Sequence, residues 1–358
     1  MLPLRWGVDS KLSTLNSQLS MKRLQNKIAE SRMTFSVVAI IAAIIAIAIG
    51  AITMRLGTDF YRSVLWWEQL LVLAVSTMIM VELNNANSLI RIFSRMVSCS
   101  FLLLTLMAAY LFPSLRGGLV GLSFVAFYLF FLQAYQDRQA VGSIYAAFLS
   151  LGIGSLFFVQ ILYFVPLFWL LMAIRLLAFS GRTFFASLLG LLTPYWLLAP
   201  YYLYTLDYTT PLAHFMALAQ FKPLDQVFSL SGPLVAPIFS DPALLITPHS
   251  SVLAPLFTLG FVLLLAFTGI IHFLRHSSND KLRTQMVYEM FIITLLFNLV
   301  FIILQPQHLP FLLRLLIINT APLIGHFLAL TRTRFTNIAF FVIVAITFLL
   351  TGYNIFFS

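Results

Sequence analysis

Apolar runs of about 20 residues recur along nearly the whole chain, separated by short polar punctuation. At a rise of 1.5 Å per residue such a run matches the hydrocarbon thickness of a bilayer, so each reads as a membrane-crossing helix. The runs fall near 35–54, 64–81, 96–112, 119–135, 142–158, 161–179, 183–204, 252–273, 288–304, 311–330 and 337–357. The fifth and sixth come from one apolar stretch, 141–179, that reaches roughly twice the bilayer core as a single helix. It must divide, and Gln160 and Pro166 mark where it turns. The seventh run contains Pro194 and Pro200, which predicts a kinked or broken helix.

Small residues recur four apart at Ala42, Ala46 and Gly50 and again at Gly142, Ala146, Ser150 and Gly154, a spacing that lets helix backbones approach closely. Gly152-Ile-Gly154 reads as packing too, because it lacks the third glycine of a dinucleotide fingerprint and sits inside a run.

Of 358 residues 61% are hydrophobic and 9% charged, with a mean hydropathy of +0.98. A soluble domain carries roughly 25% charged residues, so the expected class is an all-α polytopic membrane protein of about eleven spans. Residues 1–34 form a basic N-terminal arm, and 35–358 a single transmembrane domain with one long loop at about 205–250. That loop is proline-rich, and Leu212 to Phe221 read as a short interfacial helix within it. The formal charge of +10 does not point to nucleic acid, since the bases are strung between apolar runs, where they set topology. With eleven spans the Lys and Arg residues divide sixteen against five, the larger group on the side of the N-terminus. The N-terminus is therefore expected in the cytoplasm, with the C-terminus and the long loop outside.

Cys99 is the only cysteine, which excludes an intrachain disulfide and a thiolate metal site. The six histidines are scattered and show no ligand spacing, and no P-loop, H-E-x-x-H, G-x-S-x-G or Rossmann fingerprint is present, which leaves any cofactor unknown. Candidate chemistry gathers on the outer side, at Arg55, Asp59, Arg62 and Glu68, with Asp207, Asp225 and Asp241 of the long loop. Arginines there could hold a phosphate group while a carboxylate takes a proton from an acceptor. Intramembrane ionisable groups, the mark of a transporter, look few: Arg314, Glu289 and Arg175 lie near run ends and can snorkel. The amides Gln160, Asn298 and Asn319 read as helix-to-helix hydrogen bonds.

The stretch Ala146 to Phe157, the Pro166 helix, the break Ser180-Gly181-Arg182, the block Leu188 to Tyr195 and Asp280 to Thr284 resemble a family of polytopic proteins from Bacteroidetes. That resemblance implies an inner-membrane location in a Gram-negative cell and brings no activity with it. The central block is also similar to the membrane core of GT-C glycosyltransferases, which implies a polyprenyl-phosphate-linked substrate on the outer face and Asp59 as catalytic base. This chain departs from that pattern in its short first loop and in Gln160, which stands where a basic residue is usual. Three functions stay open at this point: envelope biogenesis on a lipid-linked glycan, a small-molecule or lipid transporter or flippase, and a scaffold for other membrane proteins.

Overall fold

The computed structural model describes residues 24–55, 60–112, 114–220, 253–331 and 334–357. The described residues are helical, with no strand among them. In chain order the helices are α1 (Leu24–Glu30), α2 (Thr34–Arg55), α3 (Phe60–Asn87), α4 (Met96–Met107), α5 (Leu115–Gln133), α6 (Val141–Phe157) and α7 (Phe164–Ile174). They continue with α8 (Gly181–Thr205), α9 (Thr209–Met216), α10 (Leu253–His276), α11 (Leu282–Leu304), α12 (Leu309–Leu330) and α13 (Arg334–Phe357). Seven segments, in α3, α5, α8, α10, α11, α12 and α13, are long and apolar enough to cross a membrane. Four shorter apolar helices accompany them, at Thr34–Gly50, Met96–Met107, Val141–Phe157 and Val159–Ile174.

The long apolar stretch divides where expected. Phe158 is extended, with φ −147° and ψ 90°, and a 3-10 turn at Val159–Tyr163 leads into α7. α7 is shorter than the sequence suggests because the chain leaves the helix after Ile174. It is tied down there by the Leu176 carbonyl, which accepts from the Gln136 amide at 2.8 Å. α8 then starts at a capping box: Ser180 Oγ accepts from the Thr183 amide, and Thr183 Oγ1 accepts from the Ser180 amide. α8 is continuous through Pro194 and Pro200, so of the kink or break expected there the break does not occur. α3 also outruns its predicted end. The polar residues Glu82 to Asn87 remain helical, and the Asn87 amide donates back to the Leu83 carbonyl at 3.0 Å.

Two backbone crossings rest on glycine. A Cβ on Gly190 of α8 would lie 2.5 Å from the Tyr145 carbonyl oxygen of α6, and one on Gly325 of α12 would lie 2.8 Å from Val97 Cα of α4. On α6 itself the contact glycine is Gly152, whose Cβ would stand 2.9 Å from the Leu191 oxygen, whereas Gly142 faces open space. The four-residue stripe expected from sequence therefore is not the face that packs, although its last member, Gly154, does press on Ser123 of α5.

α12 is the central helix, 89% buried over its spanning window, and packs against α4, α5, α10 and α11. The amides act as expected: Asn319 accepts from Tyr128 at 2.6 Å, Asn298 donates to the Leu312 carbonyl at 2.9 Å and Gln160 to the Ala217 carbonyl at 3.4 Å. Within the basic arm, residues 24–30 are folded onto the bundle. Gln25 is 1% exposed and donates to the Leu328 carbonyl and to Thr331 Oγ1, both at 2.8 Å.

Candidate functional site

One end of the bundle gathers the last turns of α3, α5, α10 and α12 with the first turns of α4, α6, α8 and α11. Arg283 at the start of α11 donates to Asn87 Oδ1 at 2.9 Å and to the Leu132 carbonyl at 3.3 Å, joining α11 to the ends of α3 and α5. Ser180 Oγ donates to the Arg138 carbonyl at 2.9 Å, joining the starts of α8 and α6.

At this end the chain places a carboxylate inward. α10 closes in a 3-10 turn at Ser277–Asn279, and Asp280 follows in extended backbone. The Gln285 side-chain amide clamps the turn by donating to the carbonyls of Ser277 at 2.7 Å and Asp280 at 2.8 Å. So held, the Asp280 side chain is only 3% exposed, and its Oδ2 lies 2.9 Å from His326 Nε2. Arg91 reaches toward Oδ1 at 4.0 Å from a loop whose own guanidinium side is 44% exposed. Around the pair stand His272 and His276 of α10, with stacked rings 4.5 Å apart, and Tyr288 of α11, whose ring meets His326 edge-on at 4.9 Å.

The Arg91 loop is equally fixed. Ser88 leaves α3 in the left-handed region at φ 48°, a conformation that costs a residue with a side chain about 1 kcal/mol or more. It is held by the Leu89 amide on the Asn84 carbonyl at 3.3 Å and by Thr284 Oγ1 donating to the Ser88 carbonyl at 3.4 Å. Asn84 Nδ2 then donates to the Ser94 carbonyl at 3.0 Å and closes the loop. These walls surround a cavity of about 310 Å³, with Asn84, Ser88, Arg91, Asp280, Lys281 and Thr284 among its lining. Hydroxyls, an amide and two cations around one carboxylate suit a small anion, and a buried carboxylate–imidazole pair behind it suits the holding and release of a proton. Among the described residues no group of three or more His, Cys, Asp or Glu is placed to hold a metal ion.

This cluster corrects the reading of the histidines as scattered: His272, His276 and His326 converge. The only local signal was the four-residue spacing of His272 and His276, which puts both on one helix face. Of the groups read as able to snorkel, only Arg314 turns inward. Arg175 and Glu289 pair with each other at 2.8 Å, and Arg314 turns into the bundle to donate to the carbonyls of Leu111 and Ser114.

The outer constellation is only partly described. Asp59, Asp225 and Asp241 lie outside the described residues, and Arg55 and Arg62 are placed only as helical positions, at the end of α2 and in the first turn of α3. Four residues, 56–59, separate those helices, where about nine were expected between the runs. Glu68 is exposed on α3. Asp207 starts α9, the helix expected within the long loop. Its Oδ1 accepts from the amides of Thr209 and Thr210, both at 3.1 Å, and the Thr210 and Thr209 hydroxyls complete the cap at 2.6 and 2.8 Å. Those hydrogen bonds, led by the Thr210 hydroxyl, hold its carboxyl down at about 2. A depressed carboxyl contributes stability above its unfolded value near 3.8 and loses it as pH falls toward 2. The amides of Thr209 and Thr210 should accordingly keep their exchange protection down to about pH 4 and lose it below, and Asp207→Ala should remove that protection at every pH.

Comparison with protein families, with curated proteins and with solved structures finds no match to this chain.

Proposed function

We propose that the chain is a proton-coupled transporter of a small anionic solute in a bacterial inner membrane. On this reading the seven long and four shorter apolar helices make eleven spans, with the N-terminus in the cytoplasm and the C-terminus outside. Arg91, Arg138, Lys281 and Arg283 at the Asp280 end of the bundle support that orientation, since cytoplasmic loops carry the excess of bases. The cavity then opens toward the cytoplasm.

The observation that carries the proposal is Asp280, 3% exposed, hydrogen-bonded to His326 and lining a polar cavity beside Arg91 and Lys281. A carboxylate so buried is costly unless it is paired, as Asp280 is here. With His326 neutral the pair carries one negative charge, which repels an anion arriving at Arg91. Taking up one proton makes the pair net neutral and removes that repulsion. Anion binding therefore favours the protonated pair, and by linkage protonation favours anion binding. His272 and His276 stand on one side of the pair and Arg91 and Lys281 on the other; Tyr288 closes the pair off from the bundle core.

Purified protein in liposomes loaded with a pH-sensitive dye tests this. Adding inorganic phosphate, lactate or glycerol phosphate outside is expected to acidify the lumen faster than in protein-free liposomes for at least one of the three. Equal rates with and without protein for all three contradict the proposal.

A further inference from the structure

At the opposite end of α12 from His326, a second, partly open space lies between α3, α4, α5 and α12. It measures about 50 Å³, and Gln69, Gly117, Gly118 and Arg314 line it. A water needs about 10–15 Å³ of such space, so there is room for a few waters or a small ion.

Its lining is mostly apolar, with Gln69, Ser76, Thr105 and Arg314 as the polar side chains. Gln69 lines this space, is 4% exposed, and has a side-chain N–H group with no hydrogen-bond partner. An unsatisfied buried amide costs about 1–3 kcal/mol, so its persistence calls for an occupant. Arg314 supplies a positive charge at the same wall. α5 begins at Leu115, so the positive end of a 19-residue helix dipole lies there as well. The hydroxyls present, Ser76 and Thr105, already donate to the carbonyls of Val72 and Phe101, at 2.7 and 2.8 Å. The donor without a partner is thus the Gln69 amide, and Arg314, which donates to the carbonyls of Leu111 and Ser114, adds its positive charge beside it.

Two glycines keep the space clear. A Cβ on Gly117 would lie 2.6 Å from Arg314 Nε, and one on Gly118 would lie 2.7 Å from Gln69 Oε1. Either would push a donor out of position.

We infer that this space is a halide-binding site, in which a chloride-sized anion is held by the Gln69 amide and the Arg314 guanidinium at the N-terminus of α5. The ion bridges three helices, and its binding is independent of the Asp280 cavity. Melting of the purified protein in sodium chloride and sodium bromide is compared with sodium gluconate at equal ionic strength. Wild type should melt higher in either halide by on the order of 3 °C, saturating with concentration. Gln69→Leu, which removes the amide without adding bulk, should melt in gluconate at least as high as wild type and show no halide response. Diffraction from wild-type crystals grown in bromide should give an anomalous peak between Gln69 and Arg314. An equal halide response in Gln69→Leu, no response in wild type, or density at the site without an anomalous signal overturns the inference.

Discussion

Asp280→Asn should abolish anion-driven proton uptake in liposomes while leaving a folded protein. Asparagine keeps the size of the side chain and an oxygen that can accept from His326, but it cannot exchange a proton at neutral pH. Breaking a buried charge pair costs about 3–5 kcal/mol, and even a third of that, confined to the proton-loaded state, lowers the rate about tenfold. Elution as a single species in detergent separates loss of transport from loss of fold. His326→Gln should give the same loss from the other partner, whereas Arg275→Gln, at the exposed end of α10, should transport like wild type. Uptake by Asp280→Asn at the wild-type rate removes Asp280 from the mechanism.

The largest effect on stability is expected at Gly190. Its absent Cβ is opposed by backbone, the Tyr145 oxygen at 2.5 Å and the Leu149 nitrogen at 2.9 Å, so nothing flexible can yield. Gly190→Ala must part α6 from α8. Overpacking costs about 1–3 kcal/mol, and a backbone-to-backbone clash belongs at the upper end. Gly142→Ala is the matched control on the partner helix. Its Cβ meets nothing, and alanine is favoured over glycine by up to about 1 kcal/mol in a helix interior, less in the first turn where Gly142 sits. Thermal melts in one detergent should therefore move in opposite directions. Equal shifts show that the crossing does not depend on a missing Cβ.

These two positions also mark what could be read from sequence. Apolar run length located the helices and the division near Phe158, because the bilayer allows one helix of limited length between turns. Gly142 shows where such reading stops. A four-residue stripe follows one face of an ideal helix, but α6 must meet both α5 and α8, and the backbone against α8 is that of Tyr145, Leu149 and Gly152 instead. The Asp280 cluster was illegible for a different reason. Arg91, His272, Asp280 and His326 come from four separate segments, and only the tertiary fold joins them. Arg314 was misread because its depth along α12 suggests snorkelling, whereas the room that lets it turn inward is made by Gly117 on another helix. Asp207 carried a local signal after all. An aspartate two and three residues ahead of Thr209 and Thr210 is a cap pattern, and its carboxylate is used for that.

The central claim is that one proton enters the Asp280–His326 pair when an anion enters the cavity. The most direct measurement is the proton balance of binding itself: purified protein in weakly buffered detergent, titrated near neutral pH with whichever of the three anions drives uptake in liposomes. The account predicts uptake of close to one proton per anion bound in wild type and none in Asp280→Asn. Saturable binding by wild type with no change in bound protons would contradict it.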